Sequence, residues 1–112
     1  MADQTQAVLV VRTDIEPEHE DAFNQWYNDI HLPEIVGVPG IRSGRRYRML
    51  EGDEAFPGDG VPAYLAIYEL DDPSAVRSAE FAERRGWGPF ASQVTNNKAA
   101  LYVLLRAENE AV

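Results

Sequence analysis

Two histidines, nine arginines, five tyrosines and two tryptophans are among the groups in this chain able to move protons, hold anions or stack on rings. His31 stands out among them, because imidazole is the side chain whose ordinary pKa lies near neutrality. It follows Trp26-Tyr27 by one helical turn and precedes Leu32-Pro33, which is expected to stop the helix and fix where the ring points. At ~100° per residue, Phe23, Trp26, Tyr27 and Ile30 share an apolar arc of about 100°, and His31 falls roughly 40° beyond its edge. Trp26 and Tyr27 bring polar atoms that need partners or a ligand, where Leu and Ile would serve a plain core. Two readings are open. In one, His31 is a general acid/base and the aromatic residues line a pocket. In the other, the aromatic face is core and His31 is a C-terminal cation favoured by the helix dipole.

The second concentration of chemistry is the segment 41–50. With a strand's period of two, Ser43, Arg45 and Tyr47 share one face, and Arg42, Gly44, Arg46 and Arg48 share the other. The first set has the composition of a pocket wall. There Arg45 would neutralise a carboxylate or enolate with its planar fork, and Tyr47 would donate a phenol proton. A salt bridge from Arg45 to Glu34 is the competing explanation. The alternative orientation, with the other face toward the helices, puts Arg46 and Arg48 in place of Arg45 and Tyr47. Tyr64 and Tyr68 are further phenol donors. Trp87 and Phe90 form either a pocket lid or an apolar plug under a loop.

Other groups carry less. His19 lies among acids in a first turn, Asp71-Asp72 is a helix cap, and Lys98 has the polar neighbours Asn96-Asn97. Gly37-Val38-Pro39-Gly40 is a turn and matches no phosphate loop. Two histidines twelve residues apart make no zinc or iron triad, and the absence of cysteine removes disulfides, thiolate metal sites and thiol nucleophiles. No metal is therefore expected. A formal net charge of −9 argues against nucleic acid as a partner. No apolar run approaches the ~20 residues of a membrane span, so a cytoplasmic protein without a membrane partner is expected.

These groups are positioned by four predicted strands and two helices. The strands are 6–13, 41–50, 63–70 and 99–106. The first helix runs from Asp14 to about His31, and the second from the Asp72-Pro73 cap to Arg84-Arg85-Gly86. Residues 51–60 are a Gly/Pro-broken hairpin loop, and 86–98 is irregular. The order β-α-β-β-α-β predicts one α+β domain over residues 1–112, a ferredoxin-like sandwich. Strands one and four are apolar on both faces, through Val8 to Val11 and Leu101 to Leu105. With both helices on one face, the other face needs a cover. A second copy of the sheet supplies it, so a homodimer with sheet-to-sheet packing is expected.

The stretch FNQWYNDIHLPEIVGVPGIRSGRRYR, residues 23–48, resembles the dimeric α+β barrel superfamily, specifically its EthD-like branch. Trp26-Tyr27, His31-Leu32-Pro33, Val38-Pro39-Gly40 and the Arg/Tyr-rich second strand carry the likeness. The resemblance implies ferredoxin-like subunits paired through their sheets, each with an apolar pocket, and it turns His31 toward that pocket with Trp26 and Tyr27 beside it. The wider superfamily implies several chemistries: cofactor-free monooxygenation, isomerisation, cyclisation, decarboxylation, dehydration and haem binding. Fold alone selects none of them. The expectation is a cofactor-independent lyase or isomerase acting on a small, mostly apolar aromatic, polyketide-like or lactone substrate. His31 is its acid/base, Arg45 and Tyr47 its oxyanion holders, and Trp26, Tyr27, Tyr64, Tyr68, Trp87 and Phe90 its substrate contacts. A cofactor-free monooxygenase, a haem protein using His31 and a non-catalytic ligand-binding dimer are the alternatives.

Overall fold

A computed structural model describes residues 6–109. Four antiparallel strands, β1 (Ala7–Ile15), β2 (Ile41–Arg48), β3 (Tyr64–Leu70) and β4 (Val94–Val103), form one sheet in the order β2-β3-β1-β4. Two helical crossovers cover one face. The first comprises a 3-10 turn (Pro17–His19), α1 (Glu20–Trp26), a π-helical turn (Tyr27–His31) and α2 (Leu32–Val36). The second is a 3-10 segment (Pro73–Arg77) followed by α3 (Ala79–Arg84). The architecture is the expected α+β ferredoxin-like βαββαβ sandwich.

Pairing register divides the side chains between two faces. Leu9 lies opposite Tyr68, and Val11 opposite Ala66, on the helix-covered face. Val10 and Ile67 pair on the other. Between Ile41 and Ser43 the pairing of β2 with β3 shifts, and the strand then sets Gly44 opposite Tyr68 and Arg46 opposite Ala66. Gly44 and Arg46 thus face the helices. Arg45 and Tyr47, opposite Ile67 and Leu65, face away.

The first helix departs from expectation in an instructive way. Phe23, Tyr27, His31 and Ile35 are all buried, at a spacing of four. In a regular α-helix each four-residue step overshoots by ~40°, so three steps would carry Ile35 ~120° off the core. The π-helical turn absorbs that drift. Leu32 N–H donates to the Tyr27 carbonyl, five residues back, and the widened turn keeps the row facing inward. It also places Pro33 in the first turn of α2, where its missing N–H leaves little unmade. The helix therefore does not stop at His31 but continues to Val36. His31 is 5% exposed whereas Ile30 is 51% exposed, the reverse of the arc drawn from a regular helix.

Other boundaries move as well, and Asp14, expected to open the first helix, lies in β1, where its carboxylate accepts the Ala63 N–H. The second helix is divided at Ser78, whose backbone is extended and whose hydroxyl accepts the Phe81 N–H at 3.1 Å, capping α3 afresh. Strand β4 begins at Val94, not 99, because Asn96 adopts φ 50° and the β1–β4 pairing shifts between Arg12 and Asp14. Asn tolerates that left-handed geometry, so a bulge occurs where the sequence read as a break. No helix among the described residues is long and apolar enough to cross a membrane.

Candidate functional site

Between the helices and the β1–β4 half of the sheet lies a cleft of about 380 Å³. Leu9 and Val11 of β1 and Ala99 and Leu101 of β4 form its floor, and Ile35, Val76 and Phe81 add apolar wall. Its polar atoms come from Tyr27, His31, Tyr68, Asn97 and Arg85. This is the ratio of a small-molecule site: an apolar body with a few placed donors and acceptors.

His31 is held rigidly. Its ring stacks on Trp26 with centroids 4.7 Å apart and planes 12° apart, and meets Tyr27 edge-on at 4.8 Å. Trp87 lies 6.2 Å away on another side. Burial lowers the His31 pKa below its ordinary 6.5. The Glu34 carboxylate, 3.9 Å from Nδ1, opposes the shift, and the Arg46 charge adds to it. The imidazole is accordingly neutral at neutral pH and able to accept a proton.

Beside it, the Tyr27 and Tyr68 hydroxyls share a buried hydrogen bond of 2.8 Å. One hydroxyl gives its proton to the other, which leaves one O–H for a ligand. Burial raises both phenol pKa values. For Tyr27 the bond to Tyr68 and the Arg46 charge both work against that rise. The Arg46 guanidinium sits 4.2 Å from the Tyr27 ring centroid, on the side away from the cleft. Two side-chain carbonyls fix it there: Nη1 donates to Asn28 Oδ1 at 2.8 Å and Nη2 to Asn24 Oδ1 at 2.9 Å. Asn24 donates in turn to the Tyr64 hydroxyl at 3.0 Å, and Tyr64 donates to Glu20.

The predicted site residues thus separate into four groups. Tyr27, His31, Tyr68 and Trp87 line the cleft. Trp26 and Phe90 stand behind them, 5.5 Å apart and packed around Phe23, and Tyr64 belongs to the polar network at the helix–sheet margin. Arg45 and Tyr47 require correction. They lie on the outer face of the sheet, where Arg45 is exposed beside Tyr47 and Glu69 and makes no bridge to Glu34. Period two groups residues by face without saying which face the helices cover, and the shift at Ile41/Ser43 is set by pairing with β3.

Sequence reasoning missed Arg85 and Asn97, and it left open whether Arg45 or Arg46 faces the helices. Gly44 was the available signal for that choice. A Cβ there would lie 2.9 Å from both Tyr68 Cδ1 and Val36 Cγ2, so the glycine marks the face on which α2 approaches the sheet.

No family model matches the sequence, and no curated protein does. Solved structures do share the fold. HapK from Hahella chejuensis superposes with a TM-score of 0.66 at 12% identity, covering 95% of this chain and 99% of that one. An EthD-family protein from Bacillus halodurans gives 0.59 at 16%, covering 92% and 99%. SnoaB, a cofactor-independent oxygenase from Streptomyces nogalater, gives 0.61 at 17%, covering 94% and 98%. The chain therefore has the ferredoxin-like fold found in dimeric α+β barrel proteins, EthD-family members among them.

Proposed function

We propose that the protein is a cofactor-independent enzyme that removes a proton from a small, mostly apolar aromatic, polyketide-like or lactone molecule seated in the cleft. The observation that carries this reading is a neutral, rigidly stacked imidazole beside the Tyr27–Tyr68 hydroxyl pair in an otherwise apolar wall. His31 accepts the substrate proton and becomes imidazolium. The negative charge moves onto a substrate oxygen, which takes the free proton of the tyrosine pair as a hydrogen bond. Glu34, 3.9 Å from Nδ1, steadies the imidazolium. Return of the proton to another atom gives isomerisation, and loss of a leaving group gives a lyase.

A second reading keeps the same first step. The substrate anion reacts with O₂, as the fold shared with the cofactor-independent oxygenase SnoaB suggests. Oxygen uptake in the absence of metal or flavin separates the two. Haem is the prosthetic group for which His31 offers a ligand atom. A Soret band that appears on haem titration and is lost in His31→Ala would replace the base role by an axial one. We also place the working unit as a homodimer, sheet against sheet. The outer face carries Val8, Leu65 and Ile67, half-buried around a buried Val10, and none of the described helices packs on it.

The test is His31→Gln, which keeps polarity and removes the base. A general base contributes about 10²–10⁴ in rate, so turnover should fall by that factor while ligand affinity stays near wild type. An unchanged rate in the folded variant would remove His31 from the mechanism.

A further inference from the structure

We infer that the ligand of this cleft carries a carboxylate, bound by the Arg85 guanidinium while the rest of the molecule lies against the apolar wall. The inference deepens the proposed function and rests on the cleft being the ligand site.

Two adjacent arginines end α3, and they do different things. Arg84 Nη1 donates to the Glu34 carbonyl at 3.2 Å, so its cation is occupied at the end of α2, where a positive charge complements the helix dipole. Arg85 turns the other way. Its backbone leaves the helix at φ −69°, ψ 165°, and its side chain joins the cleft wall with the guanidinium carbon 5.8 Å from the Phe81 ring centroid. Gly86 then takes φ +107°, a conformation that favours glycine, and the chain carries Trp87 onto the same wall.

Arg85 is the one charged side chain lining the cleft, and among the described residues it pairs with no carboxylate. Among the described residues Arg12, Arg45, Arg48 and Arg77 also pair with no carboxylate, and what sets Arg85 apart is its place on the cleft wall. The protein has nineteen acidic side chains against ten basic ones. Arg42 and Arg106 pair with Asp71 and Glu108, and Arg46 donates to two asparagine carbonyls with its guanidinium over a tyrosine ring. A planar five-donor fork left open beside aromatic and aliphatic walls matches a planar monoanion, because both carboxylate oxygens can take parallel N–H bonds. A dianionic phosphate would bring a second charge with no further cation in the cleft to meet it.

The probes are matched pairs of aromatic carboxylates and their primary amides: benzoate with benzamide, and the two naphthoates with their naphthamides. Isothermal titration of wild type, Arg85→Gln, Arg85→Lys and Trp87→Phe measures each affinity, with circular dichroism confirming the fold. Wild type should prefer acid over amide by about tenfold, a preference weakened by salt. Arg85→Gln should abolish it without changing amide affinity. Arg85→Lys should retain only part of it, because an ammonium lacks the fork. An acid-to-amide ratio unchanged in Arg85→Gln overturns the inference. If acids and amides bind wild type equally and both weaken in Trp87→Phe, the carboxylate fails and the cleft stands as the site. Absence of binding by every probe overturns the carboxylate and counts against the cleft reading together.

Discussion

At the scale of single residues, His31 is defined by what surrounds it more than by its own chemistry. Trp26 and Tyr27 enclose the ring, Arg46 adds a nearby positive charge, and only Glu34 favours the protonated form. A folded-state pKa below the ordinary 6.5 has a definite consequence for stability. On acidification the unfolded chain takes up the proton first, so the native state loses stability as pH falls through 6.5 toward the depressed value, and the loss is complete below it. Urea unfolding of wild type and His31→Gln between pH 7.5 and pH 5 isolates this contribution, since the carboxylates common to both cancel. The stability of wild type relative to the variant should decline on the acid side. A difference constant across that range would mean that His31 titrates as it does in the unfolded chain. Tyr27 shows the same dependence on neighbours. Its hydroxyl would be an ordinary buried phenol without Tyr68 on one side and the Arg46 charge over its ring.

At the scale of elements, the site depends on how closely the first helical crossover lies against β2 and β3. Gly44 is the contact that sets this distance. A methyl group there would stand 2.9 Å from Tyr68 Cδ1, 2.9 Å from Val36 Cγ2 and 3.0 Å from Leu32 Cδ1. Gly44→Ala should therefore destabilise the protein by about 1–3 kcal/mol through overpacking. It should also disturb the Tyr27–Tyr68 hydrogen bond, because the displaced side chain is Tyr68 itself. A urea midpoint equal to that of wild type would show that α2 can move outward at no cost. The π-helical turn is the companion device. It rotates the helix face so that His31 follows Tyr27 into the cleft, and so converts a proline expected to end the helix into the start of α2. A histidine one turn after Trp-Tyr and two residues before proline was legible in the sequence. The widened turn was not, because α and π geometry differ by one hydrogen-bond step and Phe23, Tyr27, His31 and Ile35 choose between them only once they have a sheet to pack against.

At the scale of the whole molecule, two surfaces are left without partners. The outer face of the sheet carries Val8 and Val10 on β1 and Leu65 and Ile67 on β3, with Tyr102 47% exposed on β4. Leu101 and Val103, on the helix side of β4, are 40% and 56% exposed, beyond the reach of the helical layer. The proposed homodimer would cover this apolar surface. Light scattering at micromolar concentration should give twice the chain mass. Ile67→Asp, which sets a carboxylate in the centre of the outer face opposite Val10 and Arg45, should shift the protein toward monomer. A monomer mass for wild type would defeat the sheet-to-sheet dimer. The cleft lies on the opposite face, so its lining residues would remain to be tested separately.

The sequence by itself determined the order of elements, the helix cap at Asp72, the turn at Gly40, the apolar strands and the residue types available for chemistry. Each of these rests on short-range physics: period two or 3.6, proline and glycine geometry, and side chains that bond their own backbone. Tertiary structure alone decided which face of β2 meets the helices, and with it the replacement of Arg45 and Tyr47 by Gly44 and Arg46 at the helix–sheet interface. It also decided that Arg84 ties down α2 while its neighbour Arg85 enters the cleft. Such choices are made between surfaces far apart in the chain. A period identifies the residues that travel together, and only the partner they pack against determines where they go.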